Sequence, residues 1–177
     1  MANIDNPRGL EYQYGGNPVM REVSVDASNG ARIGLNDGVI LEADGNVARV
    51  AAGSGAILSD VVQGIKNSDG ETINYLPAST AGTLIVKKID PSMVFKIQAD
   101  SGTAVALAAV GATADLVVAD CSTVSGVSRI ELDSSNIGTG QQVRIIGKDG
   151  DPNNAYGEHV DLLVQVCENA SISNTSV

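Results

Sequence analysis

The sequence predicts an all-β protein, a single small β-barrel or β-sandwich domain, and three observations point there. Past residue 22 the chain breaks into short β-branched runs separated by Gly, Asn, Asp and Ser, the spacing of sandwiches and barrels. No window keeps the 3.6-residue period of an amphipathic helix. The aromatic residues are Phe95 and four tyrosines, with no tryptophan, so a core has to be filled by Val, Ile, Leu and Ala. A chain of 177 residues suits one domain of ordinary size.

Residues 1–22 contain Pro7, Gly9, Gly15, Gly16 and Pro18, which deny a helix or a long strand and read as an extended N-terminal arm. The body then spans residues 23–168. Candidate strands lie at 31–35, 39–42, 47–51, 61–66, 72–75, 83–89, 93–99, 116–119, 128–132, 142–146 and 162–167. The turn sequences Asn36-Asp37-Gly38, Asp44-Gly45-Asn46 and Ser68-Asp69-Gly70 supply residues that tolerate positive φ, so the segments flanking them should pair antiparallel. A proline turn at Asp90-Pro91-Ser92 precedes Met93, Phe95 and Ile97, whose alternation makes Phe95 a core anchor. The alanine-rich stretch 103–113 has room for one or two helical turns, and residues 169–177 read as a flexible polar tail.

Eleven Lys and Arg against 21 Asp and Glu give a net charge of −10, which repels phosphate backbones and argues against a nucleic-acid partner. The opening Met1-Ala2-Asn3-Ile4-Asp5 lacks the basic start and apolar stretch of a secretory signal, so synthesis in the cytoplasm is expected. Apolar runs such as 105–110 are far short of the ~20 residues that cross a bilayer. Without export, the acceptor patterns at Asn169 and Asn174 are chance. Cys121 and Cys167 have no CxxC spacing and no nearby histidine, so two buried free thiols are expected and no metal centre.

Each candidate for chemistry has a plainer reading. His159, the one histidine, lies near Tyr156, Glu158 and Asp161, and triad chemistry would need a distant serine brought to it; a surface or loop histidine is the simpler expectation. Asp149 and Asp151 begin like a calcium loop, but Asn154 stands where that loop needs Gly and Val160 where it needs Glu, so a turn explains them. Glu131 and Asp133 share a strand face as glycosidase carboxylates do, and as solvated faces more often do. The glycine-rich run Ala52-Gly53-Ser54-Gly55-Ala56 is not followed by Lys-Ser/Thr and reads as a loop.

Several patterns, in order, resemble the family of tailed-bacteriophage head decoration proteins, or structural cement proteins. They are Asn3-Ile4-Asp5-Asn6-Pro7-Arg8-Gly9-Leu10, Val61-Val62-Gln63-Gly64-Ile65 and Asp90-Pro91-Ser92-Met93-Val94-Phe95-Lys96-Ile97-Gln98. Further on come Leu132-Asp133-Ser134-Ser135, Val143-Arg144-Ile145-Ile146-Gly147 and Asp151-Pro152-Asn153-Asn154-Ala155-Tyr156-Gly157. The chain departs from the pattern where Asp151 meets Pro152 directly, without an intervening arginine, and where the last strand ends Val166-Cys167-Glu168 rather than in polar residues with histidine.

The resemblance implies a non-enzymatic homotrimer on the virion surface that ties neighbouring major capsid protein subunits together, with no catalytic residue, cofactor or small-molecule substrate. A chain of charge −10 is repelled by packaged DNA, which favours the outer face. The arm is the expected contact, with Pro7, Leu10, Tyr12, Tyr14 and Val19 against the partner, because a segment that orders on binding drapes over a large surface. A tail or baseplate component, or less readily a β-rich hydrolase using His159, are the alternatives.

Overall fold

The computed structural model describes residues 3–53, 57–139 and 141–167. Its strands, in chain order, are β1 (Glu11–Tyr14), β2 (Met20–Val25), β3 (Gly38–Leu41), β4 (Val47–Arg49), β5 (Asp60–Asn67), β6 (Gly82–Lys88), β7 (Val94–Gln98), β8 (Thr113–Val117), β9 (Glu131–Gly138), β10 (Val143–Lys148) and β11 (Asp161–Val166). They form two antiparallel sheets, one in the order β1-β7-β11-β10-β8-β9 and the other β2-β6-β5-β3-β4. Neither sheet closes on itself, so the all-β fold is sandwich-like. The alanine-rich stretch contributes a single 3₁₀ turn, Leu107–Ala109, and Thr113 already belongs to β8.

Side-chain alternation divides the core in two. Val61 and Val62, adjacent on β5, point to opposite faces of their sheet. Val61 joins the larger cluster with Leu10, Phe95, Ile97, Leu116, Leu132, Ile145, Leu162 and Val164; Val62 joins a smaller one with Val25, Ile33, Val39, Leu76, Leu84 and Val86. Phe95 is fully buried, as its alternation predicts, and Tyr12 meets it edge-on with ring centroids 6.1 Å apart. Lys87 Nζ lies 3.6 Å from the centre of the Tyr12 ring, a cation–π contact that ties β6 to β1 across the gap between sheets.

Residues 3–22 do not form an arm apart from the body. β1 pairs with β7 and β2 with β6 along its whole length. Leu10, expected against a partner, has no exposed surface and sits in the larger cluster. The prolines and glycines bound these strands instead of abolishing them: Pro7 and Gly9 precede β1, while Gly15, Gly16 and Pro18 fill the connection to β2. Gly9 has φ +70°, and a Cβ there would fall 2.5 Å from both the Asn36 carbonyl oxygen and Ser128, so only glycine lets the chain enter the core at Leu10.

Two of the three expected hairpin turns form. Gly45 (φ 88°) closes β3 onto β4, and Gly70 (φ 83°) folds Thr72 back onto Lys66. The third does not. Asn36 takes φ 66°, but residues 31–35 make only isolated bridges, Ile33 to Leu76 and Leu35 to Val127, because Asp37 turns inward. Its carboxylate accepts hydrogen bonds from the Gly34 amide at 2.6 Å and from the Ser128 hydroxyl, holding the turn against the loop that leads into β9 of the other sheet. Cys121 is a buried free thiol; Cys167 is only half-buried, just past the end of β11. Residues 54–56 of the glycine-rich run and the polar tail 169–177 lie outside the described residues.

Candidate functional site

The segment from Asn3 to Gly9 crosses the body as a strap held by side-chain amides rather than by apolar packing; Ile4 is 80% exposed. Asn3 donates from Nδ2 to the carbonyls of Ala155 and Glu158, both at 2.8 Å, and its Oδ1 accepts from the Ala155 amide. Gln98, on β7 and nearly buried, accepts from the Asn6 amide at 2.7 Å and donates to the Ile4 carbonyl at 3.0 Å. An open cleft lies on either side. One, of about 590 Å³, is walled by Arg8, Glu11, Lys96, Asn153 and Asp161; the other, of about 740 Å³, by Pro7, Ser122, Arg129 and Glu131.

The strap brings Asp5 to two residues remote in sequence. Asp5, Glu131 at the start of β9, and His159 in the loop before β11 each present a ligand-type atom, all within 4.8 Å of one another. His159 takes φ 53° and turns its Nδ1 inward, 3.8 Å from Asp5 Oδ1. That nitrogen is buried and has no hydrogen-bond partner. The loop is fixed from both sides: the Val105 amide donates to the Gly157 carbonyl, the Ala99 amide to that of Val160, and Asn154 bridges Asp149 and Asp161.

The electrostatics around the cluster are uneven. Burial pushes the Glu131 carboxyl above its ordinary value, and the neighbouring charges of Asp5 and Asp100 add to the shift while His159 opposes it. For Asp100 burial works upward too, but hydrogen bonds from the Ser134 hydroxyl and the amides of Gly102 and Ser134 outweigh it and hold the carboxyl low. Among the described residues no Lys or Arg is ion-paired to Asp5 or Glu131, though cations meet acids elsewhere, as in Lys96–Glu11 and Arg49–Asp120.

The other residues singled out in the sequence fall as follows. His159 is a loop residue, but its side chain is only 20% exposed, and its charged neighbours are Asp5 and Glu131 rather than the adjacent Glu158 and Asp161. Asp161 faces Lys96 and Gln98. Asp133 accepts the amides of Ser135 and Asn136 and takes no part with Glu131. Asp151 accepts the Asn153 amide, a turn contact, and among the described residues neither it nor Asp149 joins a three-donor group. Of the expected contact residues, Pro7 and Tyr12 are half-buried, whereas Tyr14 and Val19 are exposed.

Met20, not anticipated, is exposed beside them. Alternation along β2 was its available signal, since Val23 and Val25 point inward on the opposite parity to Met20. No family model, curated protein or solved structure matches the chain.

Proposed function

We propose that the protein is a non-enzymatic capsid decoration, or cement, protein that binds the outer surface of a tailed-phage head as a homotrimer and ties neighbouring major capsid protein subunits together. The observation that carries this reading is the stretch from Gln13 to Glu22, exposed at every residue, which runs from β1 at the edge of one sheet to β2 at the edge of the other. Tyr14, Val19 and Met20 place apolar side chains along it. Grouped apolar side chains on a surface favour a protein partner, and a connection pinned at both ends by strands orders little further on binding. The acidic net charge supports an outward position, away from packaged DNA.

The test is co-sedimentation with capsids lacking the protein, with bound copies counted. Binding that saturates at a lattice-related stoichiometry and raises the heat resistance of the capsid supports decoration. Because Leu10 belongs to the core, deleting the N-terminal residues would damage the body, so the contact is tested by a surface variant, Tyr14→Ser with Val19→Ser and Met20→Ser. It should fold, remain trimeric by light scattering and lose capsid binding. Failure of the folded wild-type protein to bind at all overturns the proposal.

A further inference from the structure

We infer that Asp5, Glu131 and His159 form a binding site for a divalent transition cation of the zinc type, which clasps the strap to the body. The inference does not depend on the capsid reading.

Three separate segments supply the donors: the strap, the first residue of β9, and the loop that leads to β11. One imidazole nitrogen with two carboxylates is a ligand set for zinc-like ions, whereas calcium and magnesium take oxygen almost throughout. Ligand atoms on a tetrahedral zinc stand about 3.4 Å apart. The three donors lie within 4.8 Å of one another, so a modest contraction completes the set. Asp5 can make that movement, because its side chain is 66% exposed on a segment with little apolar packing.

Two independent features distinguish the trio from an ordinary acidic patch. The Nδ1 of His159 is buried without any hydrogen-bond partner, and it stands 3.8 Å from Asp5 Oδ1. A buried polar atom left unsatisfied is uncommon and calls for a partner. The acidic groups also outnumber their partners: Asp5, Asp100 and Glu131 gather around one imidazole, and among the described residues no Lys or Arg is ion-paired to Asp5 or Glu131, Arg8 and Arg129 only lining the cleft beside them. A bound dication answers both, taking the lone pair of Nδ1 and neutralising the carboxylates.

The experiment titrates full-length protein, stripped with chelator, with zinc chloride in a calorimeter. Exchange of the amides of residues 3–9 with deuterated water is followed in parallel. The expected result is one zinc per chain and slower exchange in the strap. His159→Asn, whose asparagine tolerates the left-handed backbone, and Glu131→Gln should each weaken binding by about tenfold or more and abolish the slowing. Absence of saturable one-to-one binding overturns the site. So does binding of unchanged strength in both variants, or binding lost on Cys167→Ser and kept in His159→Asn.

Discussion

Arg21, on the edge strand β2, reaches across β6 to Asp60 on β5 and sets two guanidinium nitrogens against both carboxylate oxygens, Nε to Oδ1 at 3.0 Å and Nη2 to Oδ2 at 2.7 Å. The two partners are unequal. Asp60 is completely buried, while the Arg21 side chain is 42% exposed. The hydrogen bonds that Arg21 donates to Asp60 raise the guanidinium pKa further above its ordinary value.

Removing the arginine strands a buried carboxylate; removing the carboxylate leaves a guanidinium that water can reach. Arg21→Met should therefore cost about 2–3 kcal/mol and Asp60→Asn about 1 kcal/mol, read from urea unfolding midpoints. Equal losses would show that Asp60 is hydrated when unpaired.

A pH dependence follows from Asp37, whose carboxyl burial pushes up to about 6, against the opposing hydrogen bonds from Ser128 and Gly34. A carboxyl raised on folding favours the protonated native state, so its contribution is full below pH ~4, the unfolded value, and is lost as pH rises through about 6. The loss is on the order of 2–3 kcal/mol. Asp44, Asp90 and Asp120 are shifted downward and act in the opposite sense, at pH below about 4. Thermal melts between pH 4.5 and 7.5 should show the decline in wild type and a flatter profile in Asp37→Asn; parallel profiles would remove Asp37 as its source.

The strap is predicted to open without the body unfolding. Gln98→Ala deletes the bonds to Asn6 and Ile4 and should speed deuterium exchange at the Asn6 amide, with about 1–2 kcal/mol lost globally. A large fall in melting temperature would place the strap inside the cooperative core.

Leu10→Ala should destabilise by about 2–5 kcal/mol and Phe95→Ala by about 3–5 kcal/mol, since both are fully buried in the same cluster. An effect below 1 kcal/mol at Leu10 would return the N-terminal residues to the status of a detachable arm.

The body of this fold was legible because its strands obey local rules. Alternation at Met93, Phe95 and Ile97 and the Asp44-Gly45-Asn46 turn were written in consecutive residues and recur in β7 and in the β3–β4 hairpin. β1 and β2 were not legible, because Pro and Gly crowd around them and their pairing partners stand far along the chain. β9 was placed too early, since the ladder with β8 breaks after Leu132 and resumes only at Ile137 and Gly138, opposite Ala114 and Thr113. The cluster at His159 lay beyond reach for the same reason: Asp5 and Glu131 are its neighbours only after the strap has crossed the body. Its one local sign, a histidine in the left-handed region, is a property of the folded backbone.

The placement of β1 and β2 bears on how the protein is made. Glu11 finds its partner only when Lys96 has been added to the growing chain, and Met20 only when Lys87 has. At ordinary rates of synthesis β1 waits roughly 4–17 s and β2 roughly 3–13 s for their partners, with Leu10 and Tyr12 unburied meanwhile. The β3–β4 and β5–β6 hairpins can close during that interval. β1 and β2 thus gain their neighbours after strands that are translated later than they are, and covering Leu10 and Tyr12 depends on chain made well after them.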